Sequence, residues 1–269
     1  MSKNHIFSVL VAVLLLCSSI AYAQKPRAKQ HSLKGWKLTW KEDFKGNKLD
    51  PTSWRRCEAG GADWMRHMSP LDSLCRVRNG VLELWGITTP KGLDDPRPFI
   101  TGGIYSEGLR SVKCGRVDVR ARFDCATGFW PAIWLMPDVK TPWPVGGEID
   151  IMEHLNHDDI AYQTIHTAHT YYQREPKGKH GDTAPIDKAQ FNIYSVEVSD
   201  SAITFYINGT KTYTYHKMEP TPEGQFPFAD HPFYIILSAQ LSGSWVGEVN
   251  AEELPVKMEI DYVKFYERR

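Results

Sequence analysis

The stretch "PVGGEIDIMEHLNHDD", residues 144–159, decides the fold. Between Gly147 and His154 its apolar residues are Ile149, Ile151 and Met152, and two of them are β-branched, so it reads as a strand. A strand sends successive side chains to opposite faces. Glu148 and Asp150 therefore share one face, and Ile149 and Ile151 share the other. Unbroken alternation would put Glu153 on the apolar face, where a lone carboxylate is costly to bury. One extra residue near Ile151 and Met152, a β-bulge, returns Glu153 to the side of Glu148 and Asp150.

Three carboxylates on one face call for an explanation, because like charges repel. With the bulge, the two glutamate α-carbons lie roughly 13 Å apart. Their side chains then leave about 5–6 Å between carboxyl groups, the separation of a retaining glycosidase. A solvated acidic strand and a calcium site are the competing readings. Calcium takes ligands that converge from loops, and a regular strand flanked by tryptophans is a poor source of them.

The rest of the chain repeats the strand pattern. "GVLELWGI" (80–87), "GRVDVRARFD" (115–124), "NIYSVEVS" (192–199), "HPFYIILSAQ" (231–240) and "VKMEIDYVKFYE" (256–267) are short alternating runs broken by Gly, Pro, Asn and Asp. "AITFYING" (202–209) and "TKTYTYHK" (210–217) form a hairpin through Asn208-Gly209, a type I′ turn dipeptide. Residues 88–103, 173–190 and 217–230 read as loops, and no stretch reads as a long helix or an internal repeat. The expected fold is all-β, a single sandwich or jelly roll.

Residues 1–23 read as a secretory signal, with Lys3, an apolar core and Ala21-Tyr22-Ala23 before the cut. Cys17 raises the alternative of a lipid anchor, but Leu16 before it is not small. Residues 24–35 read as a polar leader and 36–269 as one domain, with no segment that spans a membrane. The expected destination is periplasmic, cell-surface or extracellular.

The chain of 269 residues has 32 basic and 32 acidic side chains, so its formal net charge is zero and nucleic acid is not expected as a partner. Nine tryptophans, within 12% aromatics, suit either a sandwich core or a groove for sugars. Cys114 and Cys125 bound one strand roughly 36 Å long and cannot meet. Cys57–Cys75 is the only local disulfide left.

The bulged Glu148-Ile149-Asp150-Ile151-Met152-Glu153 resembles the signature of glycoside hydrolase family 16, the laminarinase and lichenase group. "GFWPAIWLMPD" (128–138), "WPVGGEIDIMEH", "GRVDVRARF" and the terminal "IDYVKFY" are also similar to that family. The resemblance implies a jelly roll of two curved antiparallel sheets with a concave substrate cleft. It implies Glu148 as nucleophile, Glu153 as general acid/base and Asp150 as their helper, with no catalytic cofactor. Trp130 and Trp134 match an aromatic floor, Trp143 and Trp245 match cleft positions, and His166 lies beside the acids, with core or structural roles as alternatives. Arg66, in "DWMRHMS", stands where many β-glucanases carry Asn or Glu. A structural calcium is implied through Glu42 and Asp261, where ordinary surface carboxylates are the alternative.

The implied activity is a secreted, monomeric, retaining endo-β-glycosidase. Its first expected substrate is β-1,3- or mixed-linkage β-1,3-1,4-glucan. The alternative is an endo-β-1,4-galactosidase acting on poly-N-acetyllactosamine of mucin-type O-glycans, or on agar-type galactan. A non-catalytic carbohydrate-binding jelly roll would need the tryptophans but not the paired glutamates.

Overall fold

A computed structural model describes residues 33–173 and 178–269. In chain order its strands are β1 (Trp36–Glu42), β2 (Arg55–Arg56), β3 (Cys75–Arg78), β4 (Val81–Thr88), β5 (Phe99–Thr101), β6 (Gly103–Tyr105), β7 (Ser111–Val112) and β8 (Gly115–Phe123). They continue as β9 (Phe129–Pro137), β10 (Glu148–Glu153), β11 (Ile160–His166), β12 (Gly181–Pro185), β13 (Asn192–Val198), β14 (Ala202–Ile207), β15 (Thr210–His216), β16 (Phe233–Leu241) and β17 (Val256–Arg268). The signal-peptide reading of 1–23, and the leader reading up to residue 32, lie outside the described residues. Among the described residues, no helix is long and apolar enough to cross a membrane.

Two antiparallel sheets make up the fold. One runs β15-β14-β13-β8-β17-β4-β3, with β1 beside β17 and β5 beside β4. The other runs β12-β11-β10-β9-β16-β6-β2, with β7 beside β16. Each run read as a strand from the sequence is one, within a residue or two at the ends. β5, β6 and β12 lie in or at the edge of segments read as loops, and one short helix, α1 (Ala168–Tyr172), follows β11. Those strands are three to five residues long, too short for alternation to be legible.

The core lies between the sheets. Val117, Val119 and Ala121 of β8 meet it from one side, and Ile133, Leu135, Ile149, Ile151, Leu237 and Ala239 meet it from the other. The β14–β15 hairpin turns through Asn208 (φ 52°) and Gly209 (φ 82°), the two positive dihedrals of a type I′ turn. Gly147 enters β10 at φ 83°, and a Cβ there would come within 2.6 Å of the Phe228 ring. Only glycine satisfies both conditions.

The bulge is where the sequence placed it. Against β9, Asp150 faces Trp134 and Met152 faces Ile133, so Ile151 is the extra residue. Against β11, Glu148 faces His166, Asp150 faces Thr164 and Glu153 faces Tyr162. Ile149, Ile151 and Met152 are all fully buried in the core, while the three acids share the opposite face.

Cys57 and Cys75 are free, so the one local pairing that the spacing left open does not form. A Cβ on Gly102 would lie 3.0 Å from Cys75 Sγ, and one on Gly103 would lie 3.0 Å from Cys57 Sγ. Consecutive residues of an extended chain face opposite ways, so the thiols lie on opposite sides of that segment. Cys75 packs in the main core, and Cys57 packs in a second cluster with Met68, Trp134 and Ile236.

Inserting one alanine after Met152 should turn Glu153 into the main core and lower stability by roughly 3–5 kcal/mol, because the carboxylate is then buried unpaired. Deleting Met152 leaves Glu-x-Asp-x-Glu on one face and should destabilise less. Thermal or urea unfolding of the two variants reads the difference.

Candidate active site

The sheet that carries the bulge also carries a cleft of about 750 Å³ on its outer face. β9 contributes Trp130, Ala132, Trp134 and Met136, which alternate with the core residues Phe129, Ile133 and Leu135. β16 contributes Tyr234, Ile236 and Gln240, β11 contributes Thr164 and His166, and β10 contributes Glu148, Asp150 and Glu153. One wall comes from outside the sheet: Asp63 and Trp64 on one turn, Ser244 and Trp245 on another.

Each glutamate is held by a different tryptophan. Trp143 Nε1–H donates to Glu148 Oε2 at 2.6 Å, and Trp130 Nε1–H donates to Glu153 Oε1 at 3.0 Å. His166 lies with Nε2 3.3 Å from Asp150 Oδ2 and 4.0 Å from Glu148 Oε1. It therefore sits by Asp150 and Glu148, on the side of the site away from Glu153. Asp150 and Glu153 are only 3% and 8% exposed.

Burial in this apolar-walled cleft pushes all three carboxyls upward. Glu148 rises to about 8, first through desolvation and then through the Asp150 charge, with His166 and the Trp143 N–H opposing. Asp150 rises to about 7 through desolvation, against a hydrogen bond from Glu148. Glu153 rises well above the usual range, through desolvation first and then the Asp150 charge, with the Trp130 N–H opposing. Three such groups cannot all be charged near neutrality. The first ionisation falls on the Glu148–Asp150 pair, which has His166 and an indole N–H beside it, and the proton on Glu153 is the last to leave. One charged carboxylate and one protonated carboxyl face the same space.

The tryptophans named from the sequence come together here. Trp245 packs edge-on to Trp130 and Tyr162, at centroid distances of 5.7 and 5.1 Å. Trp134 is the most buried of them; its ring meets Trp64 at 4.8 Å, and its Nε1–H donates to Ser238 Oγ. Arg66 is not among the residues lining the cleft. Its guanidinium pairs with Asp63 at 2.9 Å, so it reaches the site only through that carboxylate.

Glu42 and Asp261 do not fit a calcium site. Glu42 Oε1 accepts the Phe44 N–H and Oε2 accepts the Trp54 indole N–H. Asp261 is paired with the Arg120 guanidinium at 2.5 Å, which already supplies the positive charge. Among the described residues, the one group of three metal-type donors is Glu148, Asp150 and His166 in the cleft.

Sequence reasoning missed Asp63, Trp64, Tyr171 and Gln240. Tyr171, on α1, packs edge-on against Trp143 at 4.6 Å. Gln240 was legible in principle, since it ends the alternation that places Tyr234 and Ile236 on the cleft face. Asp63 and Trp64 reach the cleft from a turn, where no periodicity marks a face, and Tyr171 is carried by the short helix α1.

Comparison with known proteins places these features. The family described as "Glycosyl hydrolases family 16" matches residues 76–264. The chain is 33% identical over 235 residues to a keratan-sulfate endo-1,4-beta-galactosidase of Sphingobacterium multivorum, covering 86% of this chain and 55% of that protein. It is similar to the laminarinase from Rhodothermus marinus, with a TM-score of 0.77 at 28% identity over 87% of this chain and 98% of the other. A third similar structure carries the description "Prominent members of the human gut microbiota express endo-acting O-glycanases to initiate mucin breakdown". There the TM-score is 0.74 at 27% identity, over 85% of this chain and 98% of the other.

The raised carboxyls make a stability test. A group whose folded value lies above its unfolded one binds more protons when folded, so stability falls as pH rises from about 4 through the folded value. Glu153→Gln removes that loss. Its melting temperature should exceed that of the native protein by a few degrees at pH 8, with the gap closing as pH falls toward 4.

Proposed function

Because this chain belongs to glycosyl hydrolase family 16, we propose that residues 36–269 act as a retaining endo-β-glycosidase on internal linkages of a glycan chain. The observation that carries this reading is the bulged strand, which sets Glu148 and Glu153 on one floor, each carboxyl held by an indole N–H. Glu148, ionised and oriented by Trp143, attacks the anomeric carbon while Glu153 protonates the departing glycosidic oxygen. A covalent glycosyl-enzyme forms, and Glu153, now a carboxylate, takes a proton from the water that hydrolyses it. Asp150 shares a hydrogen bond with Glu148, orienting it and tuning its charge. Trp130, Trp134 and Trp245 offer flat apolar faces to the C–H faces of the sugar rings. The chemistry calls for no metal. The export reading of residues 1–23 fits a polymeric substrate outside the cytoplasm, and the proposed form is a monomer.

The substrate reading rests on two observations. The laminarinase similarity supports β-1,3- or mixed-linkage glucan, the first expectation from sequence. The galactosidase, more identical to this chain, favours β-1,4-galactosidic linkages such as those of poly-N-acetyllactosamine. Cleft charge refines this second reading. Among the described residues that line the cleft, none is Lys or Arg, and Asp63 adds a fourth carboxylate. Burial works against the Asp63 charge, but the Ser244 N–H and hydroxyl, with Arg66, hold its carboxyl below the usual range. Such a wall disfavours a sulfate group, so the expected chain is neutral.

Incubation with laminarin, barley glucan, agarose, keratan sulfate before and after desulfation, and mucin, with product analysis, tests the assignment. Internal cleavage of a neutral β-glycan with retained anomeric configuration is expected, and desulfation should speed any cleavage of keratan sulfate. Glu148→Gln and Glu153→Gln should each lower kcat at least roughly 10²–10⁴-fold with the fold intact. Near-native turnover in either would sink the assignment.

The rise of kcat/KM with pH reports the first proton lost from the Glu148–Asp150 pair, at about 7 by the Asp150 value. Asp150→Asn removes the charge that raises Glu148, so this limb should move to lower pH, at reduced maximal rate.

A further inference from the structure

We infer that Gln240 is a specificity-determining residue, whose free carboxamide oxygen accepts a hydrogen bond from a sugar hydroxyl of the ring seated against Trp130. The inference rests on the glycosidase reading and adds to it a residue outside the acidic strand.

Gln240 is 2% exposed and belongs to the cleft lining. It stands directly across the β16–β9 ladder from Trp130, so the two side chains share the cleft face. Its amide nitrogen is tied down, donating to Ser238 Oγ at 2.8 Å, and Ser238 Oγ also receives the Trp134 indole N–H at 3.1 Å. Ser238 Oγ, itself held by Trp134, thus ties the amide nitrogen of a buried side chain. Its oxygen, by contrast, is buried without a hydrogen-bond partner. A buried acceptor left unsatisfied is unfavourable, and Gln240 belongs to the lining of the space that a substrate ring would fill. The same neighbourhood holds the Trp130 indole, whose N–H is already committed to Glu153. Asp63 and Gly243 also lie near that indole: a Cβ on Gly243 would come within 3.1 Å of the ring and 3.0 Å of Asp63 Oδ2. A ring on Trp130 would therefore lie near an acceptor at Gln240 and a carboxylate at Asp63. Hydroxyl groups donate to both, whereas a sulfate or carboxylate substituent supplies no proton to either. The position sorts sugars by the presence and direction of one hydroxyl.

Gln240→Met tests this, since it keeps the length of the side chain and removes both polar ends. Gln240→Ala is a second variant that is smaller and faces the open cleft, should methionine fail to pack. On the glycan that the native enzyme cleaves best, kcat/KM should fall roughly 10–100-fold, the loss of one buried hydrogen bond made in the complex. Melting temperature should stay equal or rise, because the unsatisfied oxygen has gone. The ratio of rates on galactan-type and glucan-type chains should move toward one. Unchanged kcat/KM on every glycan would overturn the inference and mean that water alone satisfies the amide. A fall in activity matched by a fall in melting temperature would also overturn it, since the amide would then be holding the wall together. Should the native enzyme cleave no glycan of the panel, the glycosidase reading fails, and this inference falls with it. Activity in the native enzyme that Gln240→Met leaves intact removes this inference alone.

Discussion

Everything in the site depends on the two-residue period of one sheet and on a single departure from it. β9, β16 and β11 each send one set of side chains into the core and the other into the cleft. If β10 kept strict alternation, it could supply two cleft carboxylates but not a third three positions further on. The extra residue at Ile151 lets two consecutive side chains, Ile151 and Met152, both enter the core. The core thus gains a residue and the cleft gains Glu153. Bulges are tolerated because the ladder loses little, and the apolar pair on the core side makes this one favourable.

The same apolar surroundings set the charge. Raised carboxyls are a liability for stability, because the fold holds protons that the unfolded chain would release at neutral pH. That liability is what makes the site chemically useful. The asymmetry between the two glutamates comes from few groups: each has one indole donor, but His166 stands only beside Glu148 and Asp150. Both glutamates are raised by burial and by the Asp150 charge and eased by an indole N–H, and they differ in how close the imidazole stands.

The legible part of this protein was whatever a strand period could encode. The long strands, the Asn208-Gly209 hairpin and the bulge were readable because apolar and polar residues had to fall on opposite faces. The family resemblance then extended the reading to Trp130, Trp134, Trp143, His166 and Trp245. Outside the strands the reading was weaker. Arg66 was placed by resemblance, and Cys57–Cys75 was only the one local pairing that spacing left open, both in a segment without period. There, direction is set by tertiary packing: Arg66 is drawn to Asp63, and Gly102-Gly103 puts the two thiols on opposite sides. Glu42 and Asp261 were placed by resemblance, and local N–H and guanidinium partners satisfy them instead.

The segment from Cys57 to Met68 binds selectivity to stability. Cys57 and Met68 pack with Trp134 and Ile236 on the cleft face of the sheet, and Trp64 packs edge-on against Trp134. Arg97 anchors the segment by donating to the carbonyl oxygens of Arg66 and Met68, and is itself held by Asp95. The wall residues Asp63 and Trp64 are therefore positioned by a small core of their own, separate from the one that holds the catalytic strand. Changes to the wall can alter which sugar fits without moving Glu148 or Glu153, because the two are supported from different sides of the sheet. The reaction proposed for the floor and the choice of sugar proposed for the wall thus rest on separately packed parts of the fold.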